Sequence, residues 1–333
     1  PNPELPCAPS YPSLLRHELA SCAMKLGLNI GLFASAISDN FALIELAEDL
    51  GYDSVWSAEA YGSDALTPLA WIAARTERIN VGSAVFQIPA RTPAMTAMSA
   101  ATLDQMSGGR FKLGLGVSGP QVVEGWHGRP FGKPLSVTRE YVSIIRMILD
   151  RQHPARFDGD VFQLPYRGDD ATGLGKPLKM MIHPLRSDLP IYIAAIGPKN
   201  VRLTAEIADG WLPVFFSPER TRENYQHLLD EGFEASGEPN KAARFDIAPT
   251  VPAQVTDDLD AARLQMKPQI ALYVGGRGAR GLKLWDDLAW REGFEEAGLV
   301  SQEGFVGGGW RGGVRGVAGE VGEGGGRGGG GGW

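Results

Sequence analysis

The feature that most limits what this chain can fold into is a regular alternation of short apolar runs with stretches of helical period. Lys25–Phe33 reads as a first strand, and Ser38-Asp39 then caps a helical period through Ile44, Ala47 and Leu50 that Gly51 stops. Ser54–Ala58, Asn80–Val85 and Phe111–Gly116 read as strands two, three and four. Between them Pro68 opens a helix to about Arg75, and Pro93 opens another to Met106 that Ser107-Gly108-Gly109 ends. Further on, Leu135–Leu149 is an amphipathic helix, with Val142, Ile145 and Leu149 on one side. Residues 154–189 are rich in Pro, Gly and Asp and read as an insertion over one face. Strands at Ile191–Ala195, Gly210–Val214 and Phe245–Val251 then alternate with helices at Asn200–Ala208, Pro218–Ala235 and Asp257–Met266.

Repeated βα units require a parallel sheet with right-handed crossovers, which leaves a barrel or an open doubly wound sheet. A dinucleotide-binding sheet places its glycine fingerprint at the first turn. Here Gly114-x-Gly116-x-x-Gly119 follows strand four, with Pro120 and an expected loop after it, so the barrel is the better reading. The fold expected is α/β, a (β/α)8 barrel of the triosephosphate-isomerase type. Seven units are found, so the barrel is expected to stop before its eighth strand, leaving its first and seventh strands as open edges.

Composition narrows the partners. With 43% apolar residues the chain can bury a large core, and a net charge of −7 disfavours nucleic acid and anionic membranes. No apolar run reaches the roughly 18 residues of a membrane span. The two cysteines, Cys7 and Cys22, and the five scattered histidines offer neither a disulfide framework nor metal-ligand spacing, so no metal is expected. The opening residues lack the layout of a signal peptide, and a cytoplasmic location is the expectation.

Both ends differ from the middle. Residues 1–23 are Pro-rich without a period and read as a disordered leader upstream of a start at Met24, with a short native arm as the alternative. From Gly304 more than half the residues are Gly, and Arg, Trp, Val and Glu make up most of the rest. Such a composition is expected of a G-rich gene read out of frame. Residues 299–333 are therefore expected to be disordered, and residues 24–298 to form the barrel domain.

Several segments, in this order, resemble the luciferase-like flavin and deazaflavin oxidoreductases, and within them the coenzyme F420-dependent branch of actinobacterial type. They are Val55–Glu59, Gly82–Val85 with Arg91-Thr92-Pro93, Leu103–Arg110, Leu113–Glu124 with Trp126-His127-Gly128, Ile191–Pro198, and Ala208–Trp211. The resemblance spans Met24 to about Gly298. It implies hydride transfer between C5 of a deazaflavin and a small organic substrate, in a protein whose relatives are often homodimers. An FMN-dependent monooxygenase on the same barrel is the alternative. A second alternative, from another class, is a non-catalytic product of a frameshifted gene.

Barrel sites form where the strands' C-terminal ends meet their loops. The resemblance implies a non-prolyl cis bond between Ala84 and Val85, bulging against the ring. It also implies a phosphate loop at Gly116, Val117, Ser118 and Gly119, with small residues admitting backbone N–H groups and Ser118 adding a hydroxyl donor. Ala195, Ile196, Gly197 and Pro198 would meet the ring's pyrimidine edge, where Ile196 departs from the two glycines often present in relatives. Glu59, Glu124 and His127 are candidates for acid–base work, each also readable as an ordinary loop contact. Arg91 is a candidate phosphate or polyglutamate contact, and the insertion at 154–189 would help line the substrate pocket. The native protein is expected to begin at Met24. N-terminal mass determination checks this, and a terminus upstream of Met24 would refute it.

Overall fold

The computed structural model describes residues 24–31, 40–262 and 264. Seven strands lie parallel in the order β1 (Gly27–Asn29), β2 (Ser54–Ser57), β3 (Asn80–Ser83), β5 (Phe111–Gly116), β8 (Ile191–Ala194), β9 (Gly210–Trp211) and β10 (Asp246–Ile247). A two-residue strand, β4 (Phe86–Gln87), also pairs with β5, beyond the point where β3 leaves it. The intervening helices are α1 (Phe41–Asp49), α2 (Leu66–Ala73), α3 (Pro93–Met106), α4 (Pro120–Gly125), α5 (Pro134–Asp150), α6 (Pro198–Ile207), α7 (Pro218–Ser236) and α8 (Lys241–Arg244).

The sheet curls. Six strand spacings laid flat would separate β1 from β10 by roughly 29 Å, yet Asn29 Nδ2 donates to Thr250 Oγ1, just past β10, at 3.2 Å. Alternation along each strand sorts the side chains onto two faces. Val55, Val81, Leu113, Leu115, Ile191 and Ile193 point outward and form one core with Leu69, Ile72, Leu103, Ile144 and Ile145 of the helices. Trp56, Tyr192 and Leu212 point inward and make a smaller core. Trp56 and Tyr192 meet edge to face, with centroids 5.5 Å apart, although two strands lie between theirs. Below them Lys112 Nζ donates to Asp53 Oδ2 at 2.9 Å. Burial alone would raise the Asp53 pKa, but the hydrogen bond and charge of Lys112 hold it below its ordinary value.

Local chemistry sets the helix bounds. Thr92 Oγ1 accepts from the Met95 amide and Pro93 takes the first helical position, so α3 begins and ends where the sequence places it. Several boundaries differ. The helix expected to open at Pro68 begins at Leu66, because Asp64 Oδ1 accepts from the Thr67 amide and starts the turn earlier. Pro120 opens α4 where a loop was expected; proline at a first helical position needs no N–H partner. Strands six and seven also contract, to Gly210–Trp211 and Asp246–Ile247, since they pair with each other over only two residues.

The insertion at 154–189 forms one short antiparallel pair, β6 (Phe157–Asp158) with β7 (Gln163–Leu164), and otherwise has no regular structure. Glu140 of α5 accepts from the amides of Asp160, Val161 and Phe162 at 2.8–3.0 Å. Arg186 reaches Asp104 and the Phe111 carbonyl, and Gln105 reaches the His183 carbonyl. These ties run to the outer flank and to the strands' N-terminal rim, and Phe162 of the insertion packs edge to face on Tyr141, with centroids 6.0 Å apart. The helix expected at Asp257–Met266 is seen at residues 259–262 and 264. The cap at Ser38-Asp39, the leader, the tail and the eighth strand lie outside the described residues.

One position tests the packing inside the curl. A Cβ on Gly114 would stand 1.9 Å from the Ser83 carbonyl oxygen, a backbone atom that cannot yield. Gly114→Ala is expected to cost about 3 kcal/mol or more, read as a fall in melting temperature or loss of soluble protein. A melt within a degree of the parent would refute the packing.

Candidate active site

Three loops meet at the C-terminal ends of β2, β3 and β5. Glu59 follows β2 with only 6% of its side chain exposed. Its Oε2 accepts from the Ala65 amide at 3.2 Å and from Arg91 Nη2 at 2.9 Å. Its Oε1 accepts from the Gln87 amide at 2.7 Å and from Arg91 Nη1. The Arg91 guanidinium lies 4.5 Å over the Phe86 ring, and the Arg91 carbonyl accepts from Tyr141 Oη at 3.1 Å. Burial pushes the Tyr141 phenol up to about 12, so it remains a hydrogen-bond donor at neutral pH.

After β3 the Ala84–Val85 peptide is cis. Val85 then packs against Gly116 at the end of β5, where a Cβ would stand 2.6 Å from Val85 Cγ2. Beyond it Ser118 takes a left-handed conformation, φ 59°. The Ser118 amide makes no hydrogen bond to backbone among the described residues. Gly119 is the N-cap of α4, and Gly197 is the N-cap of α6. In the first turn of α6, Asn200 Oδ1 is buried without a partner.

Gln87, which was not among the candidates read from the sequence, joins these pieces. It is 3% exposed, and its Nε2 donates to the Ala60 carbonyl at 2.6 Å. Its Oε1 accepts from Ser118 Oγ at 2.9 Å and lies 3.0 Å from His127 Nε2. The only available signal was its place two residues after the expected bulge.

Of the acid–base candidates, His127 therefore belongs to this cluster. Glu124 does not: it is exposed on α4 and accepts only a long bond, 3.5 Å, from the Phe131 amide. Glu59 joins the cluster from behind, with both oxygens occupied. Arg91 pairs with Glu59, and the Ser118 hydroxyl donates to Gln87 Oε1. Ala195 is buried at the end of β8, and Ile196 and Gly197 are partly exposed before Pro198 starts α6. A cavity of about 370 Å³ lies apart from this cluster, between α5 and α6, lined by Arg139, Glu140, Lys199, Arg202 and Glu206. No group of three or more metal-ligating side chains occurs among the described residues, and none of their helices is long and apolar enough to cross a membrane.

The luciferase-like monooxygenase family profile matches residues 23–325. The chain belongs to that family. Among its relatives is a Mycobacterium tuberculosis protein assigned to the coenzyme F420-dependent oxidoreductases, 50% identical over 274 residues, covering 82% of this chain and 79% of that one. The 5,10-methylenetetrahydromethanopterin reductase of Archaeoglobus fulgidus is 32% identical, over 70% of this chain and 65% of its own length. The coenzyme F420-dependent tetrahydromethanopterin reductase of Methanopyrus kandleri shares the fold, with a TM-score of 0.72 at 23% identity over 88% of this chain and 82% of that one. The parallel, curled sheet of this luciferase-like chain matches that likeness.

The pairing of Glu59 with Arg91 makes a definite prediction. Glu59→Gln leaves a buried guanidinium unpaired and is expected to destabilise the fold by about 3–5 kcal/mol. Adding Arg91→Met to it should recover part of that loss. Denaturant melts of the parent and the variants check this; an unchanged midpoint for Glu59→Gln would refute the pairing.

Proposed function

We propose that this chain is a coenzyme F420-dependent oxidoreductase that moves a hydride to or from a small organic substrate. The observation that carries the reading is the approach of Val85 to the bare face of Gly116 beside the unpaired Ser118 amide, in a chain whose relatives include an F420-dependent oxidoreductase by name. When bound, the deazaflavin supplies a carbon centre, C5, that exchanges two electrons as a hydride and does not activate oxygen.

The chain's residues fit such a group. Val85, on the bulge after β3, offers an apolar surface to a ring face, and Gly116 keeps that surface close to β5. The free amide of Ser118 suits the phosphate. At the N-terminus of α6, the Ala195–Pro198 turn suits the polar ring edge, and a ring N–H would satisfy Asn200 Oδ1, otherwise buried without a donor. Glu59 serves by position: it holds Gln87 and Arg91 in place and leaves proton handling to His127. A small substrate would then sit above the sheet between these loops, where protein walls exclude water.

Titrating the purified chain with coenzyme F420 while following its fluorescence is expected to show saturable binding. Gly116→Ala, which displaces Val85, should weaken it about tenfold or more, roughly 1.4 kcal/mol. Tight FMN binding with oxygen-dependent turnover, and no binding of the deazaflavin, would overturn the proposal.

A further inference from the structure

The hydrogen bonds around Gln87 determine where the proton on His127 lies. The Ala60 carbonyl can only accept, so the Gln87 atom 2.6 Å from it must be the amide nitrogen. The Gln87 oxygen therefore faces Ser118 and His127. A carbonyl oxygen offers no proton, so His127 Nε2, 3.0 Å away, must supply one. Neutral imidazole carries a single N–H, and its lone pair is then on Nδ1. That atom has no partner among the described residues and is not among their buried unpaired polar atoms.

We propose that Gln87 is a positioning residue that holds His127 in its Nε2–H tautomer and leaves Nδ1 open as a proton acceptor at the mouth of the site. The role in turnover rests on the oxidoreductase reading above; the tautomer does not. The inferred substrate carries an O–H or N–H on the carbon that exchanges hydride. As that carbon loses hydride to the coenzyme, the O–H or N–H proton passes to Nδ1 and a C=O or C=N bond forms. The reverse reaction returns the proton. Gln87 Oε1 accepts from Nε2–H whether the ring is neutral or charged, so the transfer needs no rearrangement behind it. The charged pair behind Gln87, Glu59 with Arg91, is mutually neutralised, and Glu124 points away to the Phe131 amide.

Long-range proton–nitrogen NMR of the ¹⁵N-labelled full chain, without coenzyme, tests the tautomer, with His127→Gln assigning the signals. The parent should show the Nε2–H form in at least tenfold excess. Gln87→Leu, which has no acceptor, should bring the two forms to near equality, and Gln87→Glu, which keeps an acceptor, should restore the excess. If Gln87→Leu does not fold, the parent and Gln87→Glu spectra still decide. Diethyl pyrocarbonate, which attacks unprotonated ring nitrogens, should modify His127 in the parent, with the exposed His153 as control. An Nδ1–H parent, a Gln87→Leu spectrum like the parent's, or an unmodified His127 beside a modified His153 would each overturn the proposal. None of these readouts depends on coenzyme binding, so failure of the F420 titration would be a separate result.

Discussion

The Glu59 carboxylate is the interaction on which the top of this sheet depends. Three stretches of chain converge on its two oxygens, with Glu59 itself just after β2: the Ala65 amide before α2, the Gln87 amide of β4, and both arms of Arg91. A buried ion pair is poor evidence of net stability, since an apolar pair of similar shape often does as well. Its value here is direction. With its backbone pinned, Gln87 can send its side chain only toward Ala60 on one side and toward Ser118 and His127 on the other. The loops after β2, β3 and β5 are thereby set relative to each other.

The segments that carry the family likeness divide between the two ends of the barrel. Leu103–Arg110 belongs to the N-terminal rim. Arg110 donates to the carbonyls of Ala73, Thr76, Ile79 and Ser107, and Asp104 takes Arg186 and the Phe111 amide. It closes the ends of two βα units and touches none of the site loops. Ala84-Val85 and Gly116–Ser118 belong to the opposite end. A motif therefore marks ancestry without saying whether it serves chemistry or closure, and only its place along the strands separates the two.

What could be read in the sequence was mostly local. Helix α3 is bounded by its own Thr92-Pro93 and Ser107-Gly108, so its ends were legible to the residue. The alternation of units and the bulge after β3 were legible through periodicity and likeness. Strand lengths were not, because a strand ends where its neighbour stops pairing, and Gly210–Trp211 meets Asp246–Ile247 over two residues only. Pro120 was misread because the same ring that breaks a helix interior also starts a helix. The site network was the least visible part. Glu59 and Arg91 are 32 residues apart, and Gln87 and His127 are 40 apart, distances at which no sequence period operates.

Ser118 shows why this matters for chemistry. From sequence, its hydroxyl is a natural donor to a phosphate. In the fold its single proton goes to Gln87 Oε1, while its left-handed φ of 59° turns the loop after β5. An anion held there would draw on the Ser118 amide, which has no backbone partner among the described residues. The hydroxyl and His127 instead share one acceptor, so the loop that would hold a phosphate and the ring that would handle a proton are tied through a single oxygen. Removing that oxygen would release both at once, whereas removing the Ser118 hydroxyl would leave the His127 bond in place.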